Sequence, residues 1–450
     1  MIAILGAGIS GLSLAYYLRK AGKQVLVFEK SATPGGKIQS IQQDGFTMEA
    51  GPNTVLLNNQ EIVNLIPDLG LQGKLIFPDP ASISKRFVLF DGKPTAIPTG
   101  PVSSISSPML SFSTLGKIFA DLRMSKLQPE KESLASLVKR HFGDEVFENF
   151  IVPMLTGIYA GDPEKMDADF VLPFLKKASR AHGSIIKGMM RRKKEDSSNT
   201  ALPKQKIFTF AEGLQTLPRV LSLEIGESLK LECEVEEITK NEKGYNIRFR
   251  NNGKEETANI DQVISTLPAS ALAKIQSNFL KEVVTSLEKV PYVPAVVIHL
   301  AYESSSMGFG KKAFGLLSRP AENVPFLGVL FNSRFFPHTA PAGKELLTVI
   351  CGGGFNSEIA QWDESRILNE VQGSLEKILA IKAQPDFYRI KRWENAIPQY
   401  YLGHQEILDS FKKFEQVFHD FHLAGNYING ISVSDCIKNS KKLAEKIVNR

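Results

Sequence analysis

A glycine-rich turn between a short apolar strand and a helix opens the chain, and it restricts the fold more than any other feature. Ile2–Leu5 is an apolar run suited to a buried parallel strand, and Gly6, Gly8 and Gly11 follow it in the pattern G-x-G-x-x-G. Gly6 permits a tight turn, Gly8 lets a pyrophosphate approach the backbone, and Gly11 allows the helix to pack closely. The pattern predicts a dinucleotide at the N-terminus of that helix.

A second strand and an acidic residue complete this unit. Residues 24–28 read as a strand that ends at Glu29, whose carboxylate can accept a hydrogen bond from a ribose hydroxyl. Since all parts stand in the order that a nucleotide site requires, we favour this interpretation over a turn that only joins two core elements. Two further glycine-containing segments follow: Gly35, Gly36 and Lys37, then Gly51, Pro52 and Asn53.

Composition and charge narrow the class of protein. The 450 residues suffice for two or three structural units, and Lys plus Arg (54) exceeds Asp plus Glu (48) by only 6. This mild positive balance suits an anionic substrate or a membrane surface, and it does not indicate nucleic-acid binding. The three cysteines, Cys233, Cys351 and Cys436, are far apart, which favours reduced thiols in a cytoplasmic protein.

Neither a metal site nor a membrane span is expected. None of the cysteines has metal-ligand spacing, and the pair His419 and His422 has no third ligand nearby in the sequence. The apolar runs are shorter than a membrane-spanning helix, and glycines stand where a signal peptide carries its apolar region. We therefore expect the protein to stay inside the cell.

A helical insertion is expected after residue 100. The composition shifts to Pro, Ser and Gly over residues 98–113, and helical spacing then relates Leu115, Ile118 and Phe119. Such apolar faces normally pack on one another, and contact with a membrane is the alternative. Residues 187–199 include four consecutive basic residues at 191–194, and they predict a solvated, mobile loop that anionic lipid headgroups could attract.

The rest of the chain predicts strands for two sheets. Three strands are expected to extend the nucleotide-binding sheet: 232–238, 245–250 and 262–266. Four later apolar runs predict a second sheet, followed by a helix: 295–302, 314–317, 326–331, 346–350 and the helix 367–381. A strand, a glycine turn and a helix recur near the C-terminus, at residues 421–447. A second phosphate or ring could bind at the N-terminus of that helix, or the strand and the helix could simply complete the sheet.

Several motifs resemble those of one flavoprotein family. The segments 35–37 and 49–53 resemble the long FAD fingerprint of flavin amine-oxidase-like enzymes. Residues 155–163 (LTGIYAGDP) resemble the G-[VI]-[YF]-A-G-[DN] signature of protoporphyrinogen oxidases, and residues 208–218 resemble the F-x-x-G-L-x-x-L-P segment of that family. Its closing motifs have counterparts in PQYYLGH at 398–404 and in AGNY, Gly430 and Cys436-Ile437. The resemblance covers essentially the whole chain.

The resemblance implies an FAD-dependent oxidase that converts protoporphyrinogen IX to protoporphyrin IX in haem biosynthesis and passes electrons to oxygen. Coproporphyrinogen III, with four propionates where protoporphyrinogen has two, is the alternative substrate. Another flavin amine-oxidase-like oxidoreductase, or a non-catalytic binding protein on the same fold, fits less well. Consistent with direct reaction between substrate and flavin, the chain has no second G-x-G-x-x-G and no Ser/His/Asp or Cys/His set with suitable spacing. We expect the FAD to be non-covalent.

The resemblance also implies roles for individual residues. Gly157 would place its carbonyl near the reacting pyrroles, Arg86 would hold a substrate carboxylate, and Phe314 would pack on the macrocycle. The alternatives are a turn glycine, a surface cation and a core phenylalanine, and the neighbouring Lys85 leaves open which side chain holds the carboxylate. The residues implied in FAD binding are Gly6, Gly8, Gly11, Glu29, Lys30, Gly35, Gly36, Lys37, Gly51, Pro52, Asn53, Val235, Trp393, Gly425, Asn426 and Val433.

Together these patterns predict an α/β fold in which three parts alternate along the chain. A Rossmann-type FAD-binding domain would take residues 1–75, 201–275 and 393–450. A substrate domain built on a mixed β-sheet would take residues 76–100 and 276–392. Residues 101–200 would form the α-helical insertion, as a lid or as a peripheral contact with the cytoplasmic face of a membrane. The oligomeric state is left open.

Overall fold

Five β-sheets and a group of helices make up the part of the chain that the structure, a computed structural model, describes: residues 1–124, 129–198 and 206–449. The elements of residues 1–100 are β1 (Ile2–Leu5), α1 (Ile9–Lys20), β2 (Val25–Phe28), β3 (Ser40–Gln43), β4 (Phe46–Glu49), β5 (Val55–Leu57), α2 (Gln60–Asp68), β6 (Leu75–Ile76), α3 (Pro80–Ile83), β7 (Arg86–Phe90) and β8 (Lys93–Ala96). Those of residues 101–198 are α4 (Pro101–Ile105), α5 (Phe112–Ala120), α6 (Leu134–Phe142), α7 (Asp144–Val146), a π-helical turn (Phe147–Ile151), α8 (Val152–Tyr159), α9 (Ala168–Val171), α10 (Pro173–His182) and α11 (Ile185–Ser198).

The second half of the chain supplies most of the strands. Its elements are β9 (Lys206–Phe210), α12 (Thr216–Ile225), β10 (Leu229–Lys230), β11 (Cys233–Asn241), β12 (Gly244–Asn251), β13 (Lys254–Ile260), β14 (Gln262–Ser265), α13 (Ala269–Leu272), β15 (Gln276–Ser277), α14 (Lys281–Glu288), β16 (Tyr292–Glu303), β17 (Gly315–Leu317), β18 (Phe326–Leu330), α15 (Asn332–Phe335), β19 (Lys344–Gly352), α16 (Glu364–Leu379), β20 (Phe387–Pro398), α17 (His404–Val417), β21 (Phe421–Leu423) and α18 (Val433–Val448).

A five-stranded parallel sheet holds the N-terminal glycine turn. Its strand order is β10-β2-β1-β14-β21, with Ile2 paired to Val25 on one side and to Gln262 on the other. Helices α1, α2, α12 and α18 pack against one face and share an apolar core with it. The strand–turn–helix–strand prediction is confirmed. Because β1 and β2 are covered on both faces, continuous apolar runs were the correct signal for them.

Two of the three strands expected in this sheet lie elsewhere. The prediction is wrong for β11 and β12, which form a separate sheet of order β13-β12-β11-β15, and right for β14. The sequence of β12 already indicated this, because its apolar residues alternate with polar ones. The apolar residues Tyr245, Ile247 and Phe249 are buried. Such a strand has one face in the core and one in water, whereas a central parallel strand is buried on both faces.

The second predicted sheet is present and has seven strands. Its order is β20-β16-β19-β18-β17-β7-β8, and helix α16 covers one face. Strand β7, from early in the chain, pairs in parallel with β17, which places Arg86 beside Gly315. Strand β20 continues to Pro398, beyond the domain boundary expected at residue 392.

The insertion is helical, as expected, but differs from the prediction in two places. The loop predicted for residues 187–199 is part of helix α11 as far as Ser198, and Asn199 lies outside the described residues. The expected packing of the apolar face of α5 is only partial, since Leu115 and Ile118 are half-buried whereas Phe119 is 71% exposed. Phe112, at the start of α5, is 83% exposed. Elsewhere the helices do pack together, and Leu137, Phe147 and other apolar side chains form a core there.

Buried polar groups connect the helices of the insertion. His141 on α6 contacts the Asp121 carboxylate through Nδ1 and the Ser179 hydroxyl through Nε2 at 2.8 Å. Burial lowers the pKa of His141 despite the nearby carboxylate. Nearby, the carboxylate of Glu132 pairs with the ammonium of Lys176. Because each of these groups has a partner, the insertion can bury them. No helix within the described ranges is long and apolar enough to cross a membrane.

Candidate active site

The glycine turn leaves an open space at the N-terminus of α1. Gly6 has φ +95°, which a residue with a side chain rarely adopts, and Gly8 precedes the helix without a side-chain cap. A Cβ added to Gly8 would meet no atom within 4 Å, whereas one added to Gly11 would lie 2.0 Å from the Gly6 carbonyl oxygen. The helix therefore packs closely on the turn, and its first N–H groups face a free volume.

Glu29 is fixed at the edge of this volume. One carboxylate oxygen accepts a hydrogen bond from the Ala7 N–H at 2.8 Å, and the other accepts one from the Ser31 N–H at 2.9 Å. These bonds hold the carboxylate at the end of β2, beside the turn. Each oxygen has a further lone pair with which it can accept a hydrogen bond from a ribose hydroxyl.

The second glycine pair lies against the first turn. The Gly35 N–H donates to the Ala7 carbonyl at 2.8 Å, and Gly35 and Gly36 have φ values of +121° and +60°. A Cβ on Gly36 would lie 3.2 Å from the Cα of Gly8. Glycine at position 36 therefore lets the two segments approach each other, which places both beside the same volume.

Lys37 makes its contacts with the end of β20. Its ammonium donates to the carbonyls of Asn395 and Ala396, the latter at 2.5 Å, and burial lowers its pKa to about 8. A Cβ on Gly51 would lie 1.9 Å from the Lys37 carbonyl oxygen, so only glycine fits at position 51. The side chain of Lys37 thus joins the glycine segment to β20.

Trp393 and Asn53 also belong to this region. The Trp393 indole donates to the Ala50 carbonyl at 2.7 Å, and the Asn53 amide donates to the Gly51 carbonyl at 3.3 Å. The Asn53 side-chain oxygen accepts a hydrogen bond from Asn332 at 3.2 Å. Pro52, between Gly51 and Asn53, is half-buried. These contacts place the loop of residues 51–53, which was expected to bind FAD, beside β20 and helix α15.

The closing segment returns to the same sheet. The Ala424 N–H donates to the Ser265 carbonyl at 2.9 Å, and Gly425 follows with φ +123°. The carbonyl of Asn426 accepts a hydrogen bond from the hydroxyl of Tyr400. Val433 is the first residue of α18, which packs beside α1. A second helix N-terminus thus follows the end of β21.

Two further residues implied in FAD binding, Val235 and Lys30, lie close to Glu29 at the edge of the site. Val235 is on β11, two residues beyond Cys233, whose N–H donates to the Glu29 carbonyl at 2.8 Å. Lys30 is exposed directly after Glu29. One residue that the motifs did not indicate is Thr266, whose hydroxyl donates to the Leu5 carbonyl at 2.8 Å. The sequence could have indicated Thr266, because it directly follows β14, the strand that pairs with β1.

The arrangement fits a dinucleotide such as FAD. The free volume at Gly8 has uncapped helix N–H groups beside it, which suit a pyrophosphate. The Glu29 carboxylate suits a ribose hydroxyl. A cofactor held this way would extend from β2, past Gly8 and Gly36, toward Gly425.

On the substrate side, Gly157 lies in the last turn of α8 and is exposed. Helix α8 ends because Ala160 adopts a left-handed conformation with φ 51°. Within the described ranges, no donor forms a hydrogen bond with the Gly157 carbonyl. A Cβ on Gly157 would lie 2.6 Å from Cδ2 of Leu317 on β17. Gly157 thus offers a free carbonyl at the negative end of a helix.

Arg86 shares a sheet face with the residue that contacts Gly157. Phe87 on β7 and Leu316 on β17 are paired, and both point into the core beneath α16. Because side chains alternate along a strand, Arg86 and Leu317 point to the opposite face. Arg86 is exposed at the start of β7. The helical insertion covers this same face, since Leu317 contacts Gly157 there.

Similarity to known proteins extends over the whole chain. A family model described as flavin containing amine oxidoreductase matches residues 9–448. The chloroplastic protoporphyrinogen oxidase of Nicotiana tabacum is 30% identical over 99% of this chain and 84% of its own length. The coproporphyrinogen III oxidase of Bacillus subtilis (strain 168) is 28% identical over 98% of this chain and 96% of its own length.

Solved structures show the same fold. An Exiguobacterium sp. 255-15 protein assigned as a protoporphyrinogen oxidase aligns with a TM-score of 0.85 and 22% identity, and the alignment covers 100% of this chain and 98% of that one. Cyclohexylamine oxidase from Brevibacterium oxydans IH-35A aligns with a TM-score of 0.72 and 17% identity over 100% and 98% of the two chains. At these identities the likeness concerns the fold.

Proposed function

We propose that this chain, which belongs to the flavin-containing amine oxidoreductase family, oxidises protoporphyrinogen IX to protoporphyrin IX. Membership follows from the family model that spans residues 9–448. The protein is an FAD-dependent oxidase, and its relatives over the full length include enzymes named for protoporphyrinogen and for coproporphyrinogen III. Coproporphyrinogen III is therefore the alternative substrate.

The free carbonyl of Gly157 is the observation that carries the catalytic part of this proposal. Removing a hydride from a porphyrinogen leaves positive charge on the pyrrole system as the transition state develops, and loss of a proton from the substrate then completes each two-electron oxidation. The Gly157 carbonyl lies at the negative end of α8, and within the described residues it has no hydrogen-bond donor. A fixed dipole of this kind stabilises developing charge without having to reorganise.

The remaining chemistry requires positioning more than acid–base catalysis. Bound FAD supplies the chemistry, because it accepts the hydrogen and the electron pair that leave the substrate. The protein's part is to hold the macrocycle: Arg86 binds a propionate carboxylate, Phe314 packs on the ring, and Gly157 faces the reacting pyrroles. A reaction between two held partners gains mainly from their fixed orientation. Three such two-electron oxidations complete the conversion.

Oxygen as the electron acceptor and a non-covalent flavin are further parts of the proposal. The three cysteines, which could otherwise attach a flavin, are all buried in apolar surroundings, and burial raises the pKa of each. Such thiols are poor nucleophiles. This supports a cofactor that is held by contacts alone.

Anaerobic reduction of the bound flavin by each porphyrinogen tests the function. The purified yellow protein is mixed with protoporphyrinogen IX or coproporphyrinogen III, and the loss of flavin absorbance is followed over time. We expect rapid reduction by protoporphyrinogen IX. Faster reduction by coproporphyrinogen III would favour the alternative substrate, and no reduction by either would contradict the proposed function. Reoxidation on admission of oxygen tests the acceptor.

We also propose a peripheral membrane contact through the helical insertion. Five side chains with large apolar groups are more than half exposed on α4, α5 and α11: Val102, Ile105, Phe112, Phe119 and Met190. Phe112 and Phe119 are seven residues apart and so lie on one face of α5. Lys117 on α5 and Arg191 on α11 add positive charge, which suits anionic headgroups on the cytoplasmic face of a membrane.

A further inference from the structure

The last turn of α8 is held by a residue that is 240 positions away in the chain. Gln399 directly follows β20 and is completely buried. Its side-chain amide donates hydrogen bonds to the Tyr159 carbonyl at 2.9 Å and to the Ile397 carbonyl at 3.1 Å. Tyr159 is the final residue of α8, so the amide of Gln399 satisfies one of the carbonyls that a helix leaves unpaired at its end.

A second contact fixes the residue after the helix. The Ala160 carbonyl accepts a hydrogen bond from the Gly354 N–H at 2.7 Å, and Ala160 itself is left-handed. The chain therefore turns away at position 160, and Gly161 does not continue the helix. Gly161 N–H is the donor that the Gly157 carbonyl would have had in a longer helix. Ending the helix at Tyr159 is thus what leaves the Gly157 carbonyl free.

Gln399 and Gly161 fit each other closely. A Cβ on Gly161 would lie 1.8 Å from the amide oxygen of Gln399, so the amide occupies the space of a side chain at position 161. This oxygen is buried and has no hydrogen-bond partner within the described residues. Rotating the amide by half a turn would point its oxygen at the Tyr159 carbonyl, which disfavours that orientation. The orientation that donates to the Tyr159 carbonyl therefore leaves the buried amide oxygen of Gln399 without a hydrogen-bond donor, which costs free energy.

We propose that Gln399 is a positioning residue for the oxidation. By donating to the Tyr159 carbonyl, it ends α8 at that residue and holds the carbonyl of Gly157 in the orientation that faces the substrate. The inference rests on the proposed function, because it assigns Gln399 a role through Gly157.

Three variants test this role, with wild type as the reference. Gln399→Met keeps most of the volume and removes the donor. Gly161→Ala adds the methyl group that displaces the amide. Gly161→Ala combined with Gln399→Ala removes the clash with the amide and also the donor, so that the terminal methyl of Met166, 2.9 Å from the added Cβ, still has to move. Alanine suits position 161 because its φ is not positive. The measurements are flavin content, thermal midpoint, and the rate of anaerobic flavin reduction at saturating and limiting porphyrinogen.

A positioning role predicts that all three variants reduce flavin about three- to tenfold more slowly at saturating substrate, because a hydrogen bond has been lost. Their KM and flavin content should stay close to wild type, and the double variant should recover part of the thermal midpoint that Gly161→Ala loses, because the clash with the amide is gone. If the double variant recovers the rate together with the midpoint, or if Gln399→Met reduces flavin at the wild-type rate, the inference is wrong. Failure of wild type itself to oxidise either porphyrinogen would instead contradict the proposed function.

Discussion

The guanidinium carbon of Arg86 lies 5.5 Å from the centre of the Phe314 ring. These residues are far apart in sequence, and the parallel pairing of β7 with β17 brings them together. The Phe314 N–H also donates to the Lys85 carbonyl at 2.9 Å. The Phe314 ring can hold the side chain of Arg86 in place while the guanidinium binds a carboxylate. We therefore expect the two side chains to act on the same part of the substrate.

Replacing Arg86 should weaken substrate use without affecting the flavin. Arg86→Ala removes a group that can hold a carboxylate through two parallel hydrogen bonds, so we expect kcat/KM to fall about thirty- to a hundredfold. Arg86→Lys should recover part of the binding but less of the orientation. Steady-state oxidation of porphyrinogen measures both effects, and flavin absorbance should be unchanged.

Lys85→Ala is the matched control for Arg86. Lys85 precedes the first residue of β7 and is also exposed. We expect its removal to leave kcat/KM near the wild-type value. A loss in Lys85→Ala with normal kinetics in Arg86→Ala would assign the substrate carboxylate to the lysine.

Glu29→Ala should weaken FAD binding. The variant loses a charge-assisted hydrogen bond to the ribose and also leaves the Ala7 N–H without its acceptor. We expect the dissociation constant of FAD to rise about ten- to a hundredfold, as measured by titrating the apoprotein. Glu242→Ala, which changes an exposed acid in the turn between β11 and β12, is the control. Equal FAD affinity in both variants would remove the ribose assignment.

Acid precipitation should release the flavin from the protein. The expectation follows from a cofactor held by hydrogen bonds and packing, which are lost when the chain unfolds. After centrifugation, the flavin absorbance should be in the supernatant. Yellow colour that stays with the washed pellet would show a covalent bond and contradict the prediction.

The buried carboxyl of Glu49 should make stability depend on pH. Burial raises its pKa to about 7, although hydrogen bonds from the Leu214 N–H and the Ser40 hydroxyl oppose the shift. Between about pH 4.5 and 7 the unfolded chain loses this proton and the folded chain keeps it, so stability falls as pH rises, by about 3 kcal/mol at most. Glu49→Gln should flatten this part of the pH profile of the thermal midpoint. An unchanged slope would contradict the assignment.

The exposed phenylalanines of α5 should mediate binding to anionic vesicles. Phe112→Ser combined with Phe119→Ser removes two apolar groups from the proposed surface, and we expect vesicle binding at low salt to fall at least about tenfold. Leu223→Ser, which changes a 72% exposed residue outside the insertion, should bind normally. High salt should release wild type. No binding of wild type at low salt would leave the insertion as a lid over the substrate.

Local order in the sequence was sufficient for the cofactor side of the fold. The strand Ile2–Leu5, the glycine turn and Glu29 are close together in the chain. Backbone geometry requires glycine at position 6, and burial of β1 on both faces requires its apolar residues. Four strands of the seven-stranded sheet (β16, β17, β18 and β19) were also recognisable, because each is an apolar run of strand length; the largely polar β20 was not predicted. The alternation of apolar and polar residues in β12 argued against a place in the parallel sheet. Which strands β11 and β12 pair with could not be predicted, because a strand pattern does not identify its partner.

Sequence alone therefore determined the presence of a nucleotide turn, the helical insertion and the family resemblance. Only the tertiary structure decided which distant residues act on each other: Arg86 with Phe314, and Gln399 with the end of α8. The reason is physical. The function of a helix end or a sheet face depends on contacts with residues that are distant in the sequence. Strand pairing and packing decide those contacts, and no local sequence pattern encodes them. The free carbonyl of Gly157 is a property of that assembly.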